Sequence, residues 1–386
     1  MISFSLYIHV PFCVSKCGYC SFYSRVFDDA YAEVWLGGIS REANRITEIW
    51  GEKIPLRTVY VGGGTPSVLP VSIWKRLLNI LYKAFDFSRV SEFTVEANPC
   101  SLTEVHLSLW RNYRVTRVSL GIQSLNDAEL VRLGRRHDAK TALAALEKTA
   151  SFNFDVSADL MFGLPSQTLL TWRDSLRSLL SAGVIHISTY QLTLEPGTPL
   201  ERTAPPLPDG YPFYRFAQWY LEHKGLIQYE IASFARPGKE CRHNMAYWRQ
   251  ENVLALGPSG WGYLCGYRYR NARTLEEYSS LTKNGFPIVE AERLGKCSLG
   301  IESAILALRT RQGLDITSFT ALFGEDIASG ILGVLKKIPP NLVRFENANV
   351  SLTSAGMRVG NAIWVELMDI LDTGSQARKP FIRSEN

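Results

Sequence analysis

The order of apolar runs predicts an α/β chain, a partial (β/α)6 barrel followed by a small winged-helix-like α+β domain. Three observations carry this. Short runs rich in Val, Ile, Leu, Tyr and Phe recur near 5–10, 57–61, 91–96, 115–121, 154–160 and 186–193, the texture of buried parallel strands. Amphipathic helical patterns alternate with them at 29–50, 69–84, 102–112, 126–150, 168–182 and 211–224, which argues for right-handed β-then-α units. The residues best suited to chemistry fall just after the strands, on the rim where barrel folds place it. Six units rather than eight leave the barrel open.

The first strand runs into Tyr7-Ile8-His9-Val10-Pro11-Phe12-Cys13-Val14-Ser15-Lys16-Cys17-Gly18-Tyr19-Cys20. Cys13, Cys17 and Cys20 stand at C-x3-C-x2-C spacing. A structural zinc needs four ligands, so three close thiols suit it poorly. Soft thiolates select an iron–sulfur cluster, and three of them on a four-iron cluster leave one iron open to a small molecule. The bland alternative is a group of buried or disulfide-bonded cysteines.

Each later strand ends in its own polar turn. Gly62-Gly63-Gly64-Thr65-Pro66-Ser67 follows the second; it is either a tight connection or a place where backbone approaches a ligand closely. Glu96-Ala97-Asn98-Pro99 ends the third, Gly121-Ile122-Gln123-Ser124 the fourth, and Asp159 with Gly163-Leu164-Pro165 the fifth. Tyr190 and Gln191 close the sixth, before Glu195-Pro196-Gly197-Thr198. Glu96 and Asp159 are either partners for a neighbouring arginine or acceptors for a ribose diol or an ammonium. Arg135, in Leu133-Gly134-Arg135-Arg136-His137, pairs either with a ligand carboxylate or with the protein surface.

The 386 residues carry a net charge of +5 and are 46% hydrophobic and 20% charged, ordinary for a globular chain of two or three domains. So mild a charge does not argue for nucleic acid or a membrane surface. The start shows no signal-peptide pattern, and no apolar run is long enough to span a bilayer. Seven cysteines, an odd number, argue against a disulfide framework and for a reducing compartment, the cytoplasm. From about Leu294 the pattern changes. Helices are expected at 297–308, at 315–322 with Asp315 as N-cap, and at 325–337. A hairpin over 342–345 and 349–352 and a closing helix over 353–368 complete the module. Such modules often bind DNA, but the third helix carries Glu325 and Asp326 and has lysines only at its end, unlike a recognition helix.

Taken together, these pieces resemble the oxygen-independent coproporphyrinogen III oxidase family of the radical S-adenosylmethionine (SAM) superfamily. The likeness extends to Arg117-Val118-Ser119-Leu120-Gly121-Ile122-Gln123-Ser124 and Asp159-Leu160-Met161-Phe162-Gly163-Leu164-Pro165-Ser166-Gln167, and covers most of the first 250 residues. The resemblance implies that Cys13, Cys17 and Cys20 bind a [4Fe–4S] cluster. It puts Tyr7, Tyr19, Gly63, Gly64, Thr65, Glu96, Gln123, Arg135, Asp159 and Gln191 on SAM-contacting positions.

Two features point to the heme-chaperone branch. Where the oxidases carry a further cysteine two residues after the third, this chain has Phe22. The run Tyr229-Glu230-Ile231 through His243-Asn244-Met245-Ala246-Tyr247-Trp248 resembles that branch, and the oxidases' usual N-terminal extension does not precede Tyr7 here. The resemblance implies heme as a third cofactor, with His243 as candidate axial ligand, though a lone histidine is as often structural. Tyr247 and Trp248 could pack on a porphyrin face; Cys241 is either a soft ligand or a buried thiol. The family usually has a histidine after Val253-Leu254-Ala255-Leu256; here Gly257-Pro258-Ser259-Gly260-Trp261-Gly262 has none.

Four segments are therefore expected: the barrel at 1–225, a connecting region at 226–293, the winged-helix-like domain at 294–372 and a disordered tail at 373–386. The expected function is binding heme and handing it to an acceptor protein, respiratory or storage, with cluster and SAM gating transfer or homodimerisation. No catalytic residue is assigned. Membrane contact is at most peripheral and nucleic acid is not expected. The rivals are an oxygen-independent coproporphyrinogen III oxidase and a radical SAM protein acting on nucleic acid.

Overall fold

The computed structural model describes residues 4–374. Its backbone divides into two units: one made of residues up to Gln228 with Ala232–Tyr247 and Glu251–Glu292, the other of Tyr229–Ile231, Trp248–Gln250 and the chain from Arg293.

The first unit is built on parallel strands in chain order: β1 (Phe4–Val10), β2 (Ile54–Gly63), β3 (Glu92–Ala97), β4 (Arg117–Gln123), β5 (Asp155–Phe162) and β6 (His186–Gln191). Each pairs in parallel with the next. The crossovers are α1 (Asp29–Trp50), α2 (Val71–Ala84), α3 (Glu104–Asn112), α4 (Asp127–Arg132) with α5 (Ala139–Ser151), and α6 (Leu169–Ser181); α7 (Pro199–Thr203) and α8 (Tyr211–His223) follow β6. The sheet does not close. At one end it continues through β7 (Ile227–Gln228) and β8 (Ser233–Ala235), with β8 antiparallel to β6. At the other, β9 (Val253–Leu256) lies parallel to β1 and is followed by β10 (Trp261–Leu264), β11 (Tyr267–Asn271) and β12 (Ile288–Arg293).

Two expected helices differ. The helix expected over 126–150 is two, because Gly134 takes a left-handed φ of +70° and Asp138 starts a new helix by accepting from the Thr141 amide. The closing helix is Ser354–Arg358 and then Gly360–Gly374, broken at Val359. Strands β9 to β12 were not legible as strands. Asp315 caps its helix as expected, accepting from Ser318 N at 2.6 Å. In the second unit, helices Lys296–Leu308, Ile316–Phe323 and Glu325–Leu335 pack with the hairpin Val343–Glu346 and Asn349–Leu352 around Ile305, Phe319, Ile331 and Trp364. Residues 375–386, most of the expected tail, lie outside the described residues.

Alternation along the barrel strands sorts two environments. Leu6, Ile8, Val59, Val61, Phe93, Val95, Val118, Leu120, Val156 and Ala158 point outward into one core with Trp35, Trp74, Trp110 and Trp172 from the helices. The intervening residues are mostly polar and face the barrel interior.

One buried carboxylate ties the helical layer to the added strands. Glu42 on α1 accepts from Tyr278 Oη (2.6 Å), Asn271 Nδ2 (2.8 Å) and the Gly257 amide (3.1 Å). Gly257 takes φ +95°, and a Cβ there would lie 2.6 Å from the His9 carbonyl oxygen. Glu42→Ala takes the acceptor from Tyr278 Oη and the Gly257 amide, while Asn271 Nδ2 keeps the carbonyls of Gly257 and Ala255 (3.1 and 3.4 Å), and urea unfolding is expected to show a loss of about 3 kcal/mol. Glu42→Ala behaving as the wild type would remove it as a tie.

Candidate functional site

The cysteine loop is held before any metal enters. The Gly18 amide donates to Leu133 O (3.2 Å), and the Leu200 amide, on helix α7 (Pro199–Thr203), donates to Gly18 O (2.8 Å). Beneath it Leu133, Met161, Leu164, Leu192 and Leu200 form a small apolar cluster against Tyr19. Cys13, Cys17 and Cys20 are free thiols, half-buried. Thr65 Oγ1 lies 3.5 Å from Cys13 Sγ, and Arg135 Nη1 lies 3.4 Å from Cys17 Sγ. Burial, then the neighbouring Cys17 and Cys13, pushes the Cys20 thiol up, and the Phe22 amide opposes this. Among the described residues no three His, Cys, Asp or Glu side chains are already drawn into a metal-holding set. The donors nonetheless suit a cluster: three soft ligands on one short loop, with a cation beside them to offset thiolate charge. Phe22 points outward, 52% exposed.

The glycine turn is a built cradle. A Cβ at Gly62 would sit 2.8 Å from the Glu96 carboxyl carbon, one at Gly63 2.7 Å from the His9 ring, and one at Gly64 2.6 Å from Phe12 O. Gly63 also needs φ +111°. Glu96 Oε2 accepts from the Gly63 amide (3.0 Å) and Oε1 from Tyr60 Oη (2.7 Å). Asp159 accepts from Ser119 Oγ at 3.3 Å. Burial lifts Glu96 to about 7 and Asp159 to about 6; Asp159 adds to the rise at Glu96, and Arg135 restrains the rise at Asp159. Arg135 also donates to Gly121 O, and a Cβ at Gly121 would lie 3.1 Å from Gln123 Nε2. Gln123 itself takes φ +67° at a bulge in the β4–β5 pairing.

Tyr7 donates to His9 Nδ1 (3.1 Å). The Tyr23 carbonyl can only accept, so His9 Nε2–H donates to it (3.2 Å), and this fixes the tautomer. These contacts bring together the thiols, Thr65, Gly63, Gly64, Glu96, Arg135, Gln123 and Asp159, with Tyr7 and Tyr19 alongside. Gln191 stands apart, exposed over Gly210 and Gly163.

His243 lies below this rim. It is the second residue of helix α9 (Arg242–Trp248) and is 1% exposed. Glu92 caps that segment, accepting from the amides of Arg242 and His243 (both 3.0 Å) and lying 3.5 Å from Cys241 Sγ. Thr58 donates to Ser5 Oγ (2.8 Å), so His243 Nδ1–H donates to Thr58 Oγ1 (2.9 Å), and Nε2 keeps its lone pair without a partner. Burial lowers the imidazole to about 3. In this arrangement no face of the ring is open to a macrocycle. Tyr247 is half-buried, edge-on to His243, its hydroxyl donating to Trp261 O at 3.3 Å. Reading the motifs alone missed Tyr60, His9, Glu92, Arg117 and Thr58. Their signal was present as polar residues at every second position of otherwise apolar strands.

Residues 7–179 match the radical SAM superfamily. The chain is 31% identical over 371 residues to the heme chaperone HemW of Bacillus subtilis, covering 93% of this chain and 98% of that one. It is 36% identical over 327 residues to the heme chaperone HemW of Synechocystis, covering 80% and 78%. The fold superposes on coproporphyrinogen III oxidase (HemN) of Escherichia coli, a radical SAM enzyme, with a TM-score of 0.84 at 21% identity, over 95% of this chain and 90% of that one. The chain belongs to the HemW family of radical SAM proteins.

Proposed function

We propose that the chain binds heme and passes it to an acceptor protein in the cytoplasm, and that Cys13, Cys17 and Cys20 hold a [4Fe–4S] cluster whose open iron takes exchangeable SAM. The observation that carries this reading is the near full-length likeness to relatives named heme chaperones, and Phe22, in place of the oxidases' extra cysteine, supports it. A cluster bound to the three thiols would supply an open iron for the amino and carboxylate groups of SAM. The protein's own residues do the rest. Arg135 offsets thiolate charge at Cys17. Gly63 and Gly64 let backbone close on the ligand. Glu96 and Asp159 offer acceptors to its amino N–H groups or ribose hydroxyls, with Tyr7, Tyr19, Thr65 and Gln123 around them and Gln191 apart at the exposed end of β6. His243 can meet a heme iron only if the segment around α9 leaves the barrel floor.

An anaerobic heme titration of the reconstituted protein, followed at the Soret band with and without SAM, is expected to saturate at one heme per chain. Absence of saturable binding, with turnover of coproporphyrinogen III in the presence of SAM and a reductant, would establish the oxidase reading instead.

The raised acids set a pH dependence. Below about 6 both Glu96 and Asp159 are protonated; above about 7 both are ionised. SAM carries a sulfonium, and its amino and ribose groups donate hydrogen bonds, so its affinity is expected to rise through pH 6–7 and then level off. The stability of the ligand-free protein runs the other way. The folded state holds protons the unfolded state has released, so these acids favour folding below the unfolded carboxylate range and lose that contribution as pH climbs to about 7. Calorimetric SAM titrations at pH 5.5, 6.5 and 7.5 check the first trend and thermal melts the second; a flat affinity profile removes Glu96 and Asp159 as contacts.

A further inference from the structure

We propose that His243 is a positioning residue for the SAM acceptor Glu96, acting from inside the barrel through Tyr60. This rests on the reading that Glu96 contacts SAM. The imidazole stacks on the Tyr60 ring, centroids 5.1 Å apart and 27° between planes, and the Tyr7 ring lies 6.4 Å from it. Tyr60 has one polar task, donating its hydroxyl to Glu96 Oε1. That carboxylate receives the Gly63 amide on its other oxygen. His243, Tyr60, Glu96 and Gly63 thus form one line from barrel floor to glycine cradle.

The line is anchored at its base. His243 cannot rotate without breaking the hydrogen bond to Thr58, which is itself held by Ser5. Its backbone cannot lift without leaving the Glu92 carboxylate. Glu92 in turn faces the Arg117 guanidinium, Nε to Oε2 3.5 Å, and Arg117 Nη2 donates to the carbonyls of Lys239 and Glu240 (2.6 and 3.2 Å). The segment bearing His243 is therefore fastened to the floor at both its side chain and its start. A Tyr ring pinned on one face by a fixed imidazole presents its hydroxyl in one direction, so Glu96 meets a ligand with its free lone pairs already aimed.

The test compares variants in anaerobically reconstituted full-length protein, reading SAM dissociation constants by calorimetry and the change that SAM makes in the electron paramagnetic resonance of the reduced cluster. Glu96→Gln tests the premise. His243→Ala removes the stack, and SAM binding is expected to weaken about tenfold, or about 1.4 kcal/mol. The pH midpoint of binding should also rise, because Glu96 loses the aligned Tyr60 donor. His243→Phe keeps a ring against Tyr60 and is expected to stay within about threefold of wild type. The cluster spectrum without SAM should be unaltered in all three, which separates positioning from damage to the fold. Heme saturation is expected to survive in His243→Ala.

Wild-type SAM affinity in His243→Ala overturns the assignment. So does equal weakening in His243→Ala and His243→Phe, because the ring stack would then not matter. Loss of heme binding in both His243 variants with SAM affinity intact places His243 on the iron instead. A Glu96→Gln variant that binds SAM normally removes the premise, and the assignment with it.

Discussion

The Glu92 carboxylate at the start of β3 is the interaction on which the rest of the barrel's interior depends. It is buried, and a buried carboxylate persists only where donors surround it. The donors come from two distant parts of the chain: Arg117 on the neighbouring strand, and the amides of Arg242 and His243 with the Cys241 thiol. The helix carrying the His-Asn-x-x-Tyr-Trp run is thereby fastened to the floor of an open barrel. Everything above is stacked on that floor: His243, then Tyr60, then Glu96, then the glycine turn.

The arrangement explains why the barrel tolerates so polar an interior. Ser157 and His186 share a hydrogen bond of 2.7 Å, Ser233 donates to Ser188 (3.2 Å), and Ser119 donates to Asp159. Each strand supplies small hydroxyls beside the larger charged groups, so acceptors and donors alternate around the wall. The acids nearest the rim are the least satisfied. Glu92 has amide and guanidinium partners, whereas Glu96 and Asp159 are lifted to about 7 and 6 by burial. An enclosed carboxylate with spare acceptor capacity is a cost in the free protein, and under the proposed function a bound sulfonium would offset it.

The rim was legible in the sequence because its chemistry is local. Cys13, Cys17 and Cys20 lie within eight residues, and Gly62-Gly63-Gly64 advertises its backbone need by composition. The six strands and their crossovers were legible because long apolar runs alternate with amphipathic ones. The interior was not, because its partners are far apart in sequence: Glu92 with His243, Thr58 with His243, Glu42 with Asn271. A histidine beside aromatic residues reads equally well as an iron ligand or as a packed ring, and only the third dimension shows its Nδ1 on Thr58. The split of 126–150 into two helices was hidden for a related reason. Helical periodicity carries across Leu133 to Asp138, and the break is enforced by Arg135 turning in to Cys17 and Gly121.

Order at the rim is bought from the chain itself rather than from a cofactor. Gly18 is bonded on both sides, to Leu133 before Gly134 turns and to Leu200 at the start of α7, and Leu133 and Leu200 meet again in the apolar cluster beneath. A loop fixed by its backbone in this way pays little ordering entropy when a cluster binds. The same holds for Glu96, fixed by Tyr60 and the Gly63 amide. The cysteine loop and Glu96 are therefore preorganised by separate sets of bonds, one running through α4 and α7, the other through the barrel floor. Under the proposed function, SAM would then leave and return without the cysteine loop losing its frame, as an exchangeable ligand beside a bound cluster requires.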